Sequence, residues 1–279
     1  MDREPILQAL DPDIADRIAP ELITRRGAIG HGASMSAAMA MGVRVASLPV
    51  ALAAAARAAF AQGGLPQAVV DVLNFALTLE FLEGEFYATG VATSGLIPPA
   101  DLAIFTTIRD HEAAHAKFLI STLGSAAVAK PTFDFTAGNG SKQGPFADVF
   151  SNYATFKAVA QAFEDTGVRA FKGQAPALQP FDTFLQAALT IHSIEARHAA
   201  EVRRLRGNFS ETAPNEGWIT RNLTDIPGTG ASYAGEENTV HGGVDVAAVT
   251  TVGRDEVTEA FDEPLTMAQV LAIVDPFIV

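Results

Sequence analysis

Glu112-Ala113-Ala114-His115 and Glu195-Ala196-Arg197-His198 are the stretches on which the fold turns. In an α-helix a Glu and a His three residues apart lie about 60° apart on one face, so a carboxylate oxygen and an imidazole nitrogen can meet one ion. Each motif follows a lone carboxylate by nearly the same interval, 32 residues from Glu80 to Glu112 and 31 from Glu164 to Glu195. A single E-x-x-H arises by chance in many helical proteins. Two of them, each preceded by an inward Glu on a separate helix, outline a dinuclear carboxylate centre inside an all-α, up-down four-helix bundle.

Working outward, residues 66–92 read as the first helix, with Leu73, Ala76, Leu77, Glu80, Gly84 and Tyr87 on one stripe of three- and four-residue steps. Ser94-Gly95 begins a break, and Pro98-Pro99 starts a second helix over 99–123, closed by Gly124. Residues 124–144 lack periodicity and carry Lys130-Pro131, Gly138, Gly140 and Gly144, as a long crossover would. A third helix is expected over 145–172. Gly173, Pro176 and Pro180 then punctuate a turn into a fourth helix that ends at Gly207, with Arg203, Arg204 and Arg206 favourably placed in its last turn.

This reading divides the chain into residues 1–61, a bundle over 62–207 and an extension over 208–279. The extension is expected to be irregular, with a short final helix over 266–273. Trp218, Phe261, Leu265, Val270, Leu271, Ile273 and Phe277 are its apolar anchors against the bundle. The chain has 279 residues, no cysteine and a net charge of −13. Absence of cysteine excludes iron–sulfur clusters, Cys-ligated zinc and disulfides. Residues 1–61 balance six Arg against six acids, so the whole negative excess falls on 62–279, which repels nucleic acid and attracts cations.

Thr24-Arg25-Arg26-Gly27-Ala28-Ile29 precedes an Ala/Met/Val-rich stretch ending in Ala59-Phe60-Ala61. The pattern resembles a twin-arginine export signal with an A-x-A cleavage site, which would place the mature domain in the periplasm. Arg44, Arg57 and Pro49 make the stretch a weak membrane span. If retained rather than cleaved, residues 1–61 would anchor the domain to a membrane or clamp it to a membrane complex.

The two halves also look like an internal repeat, since Tyr87 lies seven residues after Glu80 and Phe171 seven after Glu164. Leu79-Glu80-Phe81-Leu82-Glu83-Gly84-Glu85-Phe86-Tyr87, Arg109-Asp110-His111-Glu112-Ala113-Ala114-His115, Phe163-Glu164-Asp165-Thr166-Gly167 and Ile194-Glu195-Ala196-Arg197-His198 resemble the four helix signatures of the ferritin-like superfamily. Ala260-Phe261-Asp262-Glu263-Pro264-Leu265-Thr266 is similar to the tail of an exported bacterial branch labelled desiccation-related proteins. The resemblance spans residues 62–279 and implies Glu80, Glu112, His115, Glu164, Glu195 and His198 as ligands of two metal ions, with Glu112 and Glu195 bridging.

Glu83, one turn from Glu80, is a substitute ligand candidate, and Glu85 is expected to face solvent. Tyr87 is placed to hydrogen-bond a ligand carboxylate, which Phe171 cannot do. His111 and His192 read as surface groups or as partners of the ligands; His31 and His241 receive no role. Asp110, Asp165 and Arg197 are candidates to pair around the ligands.

Carboxylates with two imidazoles suit iron first and manganese next, while zinc would fill such a site without redox activity. The leading function is oxidoreduction of ferrous iron, O₂ or peroxide in stress protection, with an external electron donor or a dismutation, since a rubredoxin-like module needs cysteines. The alternative is a non-enzymatic structural or docking subunit of a periplasmic or membrane-anchored assembly, such as a respiratory or photosynthetic complex. A homo-oligomer is compatible with either reading, but an iron-storage cage fits poorly with about 70 residues beyond the fourth helix.

Overall fold

The computed structural model describes residues 65–207 and 216–279. The signal or anchor expected over residues 1–61 lies outside the described residues. Four long helices dominate: α1 (Gln67–Ala92), α2 (Pro99–Leu123), α3 (Tyr153–Leu178) and α4 (Asp182–Arg206). Each is about 37–39 Å long at 1.5 Å per residue, so the short links 93–98 and 179–181 can only fold each helix back on its predecessor. α1 accordingly packs along α2 and α3 along α4, and the two hairpins meet through α1 and α3.

Local chemistry explains the ends. Pro99 sits at the first position of α2 and Asp101 in its first turn, where a missing N–H costs nothing and a negative charge meets the helix dipole. α2 and α4 stop at Gly124 and Gly207, whose φ values of 57° and 72° suit a residue without a side chain. α4 begins with Asp182 and ends with Arg203, Arg204 and Arg206.

The third helix departs from its expected bounds. It starts at Tyr153, because the Asn152 side chain accepts from the backbone N–H groups of Ala154 and Thr155. The crossover therefore runs through residue 152, organised by the buried Asp134 carboxylate, which accepts from Thr136, Gly140 and Lys142. The helix also continues through Gly173 and Pro176. Pro176 falls in its last turn, and Gly173 is covered by the extension: a Cβ there would lie 1.9 Å from the Leu265 carbonyl oxygen.

Residues 216–279 wrap the bundle with little regular structure. They contain a two-residue hairpin, β1 (Val240–His241) and β2 (Val244–Asp245), short helices α5 (Val246–Val249) and α6 (Arg254–Glu259), and α7 (Met267–Val274). A Thr266/Gln269 capping box starts α7, one residue later than expected. The wrap is tied down by buried polar groups. Arg169 of α3 pairs with Glu236 at 2.7 Å and donates to the carbonyls of Ser232, Ala234 and Glu263. Asp165 accepts two bonds from Arg203 and one from Tyr233. Beyond α7, the Thr132 carbonyl accepts from Val279, so the chain end pairs with the crossover.

Two apolar clusters fill the bundle. One is aromatic, with Phe86 stacked on Phe156 at 4.8 Å and edge-on to Phe163 at 5.2 Å. The other joins Leu73, Leu77, Leu119, Phe171 and Ile191. Between them, on all four helices, lies a band of polar side chains.

Candidate metal centre

Each of the four long helices sends its motif residues into this band. Glu80 comes from α1, Glu112 and His115 from α2, Glu164 from α3, and Glu195 and His198 from α4. The structure brings all six sequence-predicted residues together in two overlapping groups. Glu80, Glu112, His115 and Glu195 form one; Glu112, Glu164, Glu195 and His198 form the other, with donor atoms within 4.8 Å of one another in each. Glu112 and Glu195 belong to both, as bridging carboxylates would.

The four carboxylates are fully buried, and the His115 and His198 side chains are 12% and 5% exposed. Both imidazoles face inward through Nδ1. His115 Nδ1 lies 3.3 Å from Glu80, 3.3 Å from Glu112 and 3.2 Å from Glu195. His198 Nδ1 lies 2.8 Å from Glu112 Oε1 and 3.4 Å from Glu164 Oε2. Spacings near 3 Å are those of donor atoms sharing one ion at about 2.1 Å.

Many of these atoms nevertheless lack aligned hydrogen bonds: both oxygens of Glu80 and of Glu195, Glu112 Oε1, Glu164 Oε2 and His198 Nδ1 are buried without one. His198 and Glu112 thus approach closely but aim past each other into common space. Buried polar atoms are normally satisfied, so a converging set of orphaned lone pairs fits a pair of cations.

The electrostatics agree with this. Burial pushes Glu80 up to about 8 and raises Glu164 and Glu195. Burial acts on Glu112 as well, but the neighbouring His115 and His198 imidazolium groups outweigh it and hold the carboxyl near 2. Burial depresses His198, yet Glu164 and Glu112 lift it to about 11; His115 is raised likewise, by Glu80 foremost. The imidazolium charges stand where metal charge would, and they are too few for the carboxylates present.

The surroundings orient the donors. Tyr87 Oη donates to Glu164 Oε1 at 2.5 Å, leaving Oε2 turned toward the cluster. His111 Nδ1 lies 2.9 Å from His198 Nε2. That contact joins α2 to α4 and is invisible in sequence spacing. Glu83, held as a substitute ligand candidate, is also buried against the cluster at 3% exposure.

Among the described residues, the other acidic and histidine side chains singled out in the sequence lie elsewhere. Glu85 is held by Lys130 at 2.5 Å, Asp110 pairs with Arg109 at the surface, and His241 stacks on Phe261 at 3.7 Å. Asp165 faces Arg203 rather than a metal donor. Burial lowers the pKa of His192, and the charges that act on it, Asp262 and Lys172, are not members of the cluster.

No curated protein matches the chain in a similarity search. The family model described as a ferritin-like domain matches residues 68–208, the four long helices and the whole cluster, and the chain belongs to that family.

Proposed function

We propose that this chain is an exported ferritin-like protein that holds two metal ions, iron first and manganese next, and uses them in oxidoreduction of ferrous iron, O₂ or peroxide. The observation that carries the reading is the double cluster of buried, hydrogen-bond-orphaned carboxylate and imidazole atoms. Two adjacent redox-active ions, when bound, supply two-electron exchange with O₂ or peroxide.

The remaining contributions come from the chain. Glu80 and His115 would hold one ion, Glu164 and His198 the other, and Glu112 and Glu195 both. Tyr87 and His111 fix the angle at which Glu164 and His198 present their donors. The aromatic cluster around Phe86 and the aliphatic cluster around Leu73 exclude water from either end. The carboxylates are fully buried, and residual exposure at His115 and His198 is the edge by which small reactants would approach.

Export is supported by the paired arginines at 25–26 and the small-residue site at 59–61. Among the described residues, no helix is long and apolar enough to cross a membrane.

The test is metal content per chain in protein purified without chelator, followed by stopped-flow oxidation of added ferrous iron and by peroxide consumption. Two ions per chain and turnover in either assay are expected. In Glu112→Ala, loss of both ions is expected because the residue serves both positions; retention of two ions would overturn the ligand assignment.

A further inference from the structure

The internal repeat breaks one turn after its lone carboxylates. Glu80 is followed at i+3 by Glu83, whereas Glu164 is followed at i+3 by Gly167. In space the two positions fit each other. A Cβ on Gly167 would lie 3.2 Å from Glu83 Oε1 and 3.4 Å from Glu195 Oε2, so both carboxylates crowd onto backbone that any side chain would cover. Glu83 is buried, and its Oε2 has no hydrogen-bond partner. Gly167 lies one turn beyond Glu164 on α3, so Glu83 borders the cluster on the side of Glu164 and Glu195, next to the two donor groups without belonging to either.

We propose that Glu83 is a fifth carboxylate ligand of the dinuclear centre, reaching the ion held by Glu164 and His198 through the space that Gly167 leaves open. The inference rests on the two-ion reading above. It makes the centre asymmetric: four carboxylates neutralise two divalent ions, and the fifth adds an oxygen donor and a negative charge at one of them. Hard oxygen donors and negative charge favour the more highly charged ion. The position near Glu83 is thus the one where iron or manganese reaches the trivalent state more readily.

Co²⁺ titration of the chelator-stripped full chain, followed by calorimetry and visible absorption, tests this without relying on turnover. The wild type is expected to take two ions. Glu83→Gln is expected to take two as well, one of them about tenfold or more weaker, with stronger visible absorption as that ion loses a ligand. Gly167→Ala keeps the acid but crowds its carboxylate, and the same weaker site is expected. Glu83→Gln with wild-type affinities and spectrum would overturn the proposal and leave Glu83 a buried acid. If that variant does not fold by circular dichroism, wild-type affinities in Gly167→Ala would overturn it equally. A wild type that binds no Co²⁺ would sink the two-ion reading itself.

Discussion

His111 and His198 face each other across α2 and α4, with ring centroids 5.2 Å apart and His111 Nδ1 2.9 Å from His198 Nε2. Since His198 turns Nδ1 toward Glu112 and Glu164, its Nε2 is the nitrogen free to donate outward, and His111 supplies the acceptor. The contact selects one tautomer and one ring angle for a candidate ligand. An exposed histidine thereby acts on the buried centre.

Replacing His111 by Ala should weaken the ion at the His198 position by about tenfold or more, while leaving the other ion in place. Calorimetric titration with Mn²⁺ resolves the two sites. Equal affinities in wild type and variant would show that the stacked ring has no hold on His198.

Tyr87→Phe removes one hydroxyl and keeps the ring within its aromatic contacts with Phe86, Phe105 and Phe156. Loss of its hydrogen bond leaves Glu164 Oε1 buried without a donor, which costs about 1–3 kcal/mol. A lower melting temperature in chelator, together with weaker metal binding at the Glu164 position, is the expected pair of results. A lower melting temperature with intact metal binding would confine Tyr87 to packing.

The pH dependence of the chelator-treated chain follows from the shifted groups. Glu80 is pushed up to about 8 from an ordinary 4.5, Glu164 and Glu195 are raised too, and His198 rises to about 11 from 6.5. From about pH 4.5 to 8 the folded state binds more protons than the unfolded chain, so stability falls as pH rises. Glu112, held near 2, has the opposite sign, and its contribution is lost only as pH falls below about 4.5. Thermal melts should therefore peak near pH 5 and decline toward pH 8. Saturating Mn²⁺ should flatten the decline, because ions replace the protons. A melting temperature that rises steadily from pH 5 to 8 in chelator would contradict these shifts.

Arg203→Ala should destabilise the chain by about 3–5 kcal/mol, since it strands Asp165 as a buried charge against α3. Denaturant titration measures this. A loss below about 1 kcal/mol would show that Tyr233, which also donates to Asp165, suffices to hold the wrap.

By itself, the sequence determined whatever depends on spacing along a single helix. The i, i+3 pairs Glu112/His115 and Glu195/His198, the matched intervals from Glu80 and Glu164, and the Pro98-Pro99 and Gly207 boundaries are all local, because helix geometry alone places those side chains and ends. Tertiary structure decided what depends on a facing element. Glu83 turns inward because Gly167 on α3 leaves it room, and His111 matters because α4 brings His198 beside it. Gly173 and Pro176 are turn-forming residues by local preference, yet Gly173 stays helical under the Leu265 backbone. Helix three begins at its Asn152 cap rather than near Pro145, since Asp134 and the chain end hold the crossover in place. Such contacts join residues dozens of positions apart, and periodicity carries no information about them.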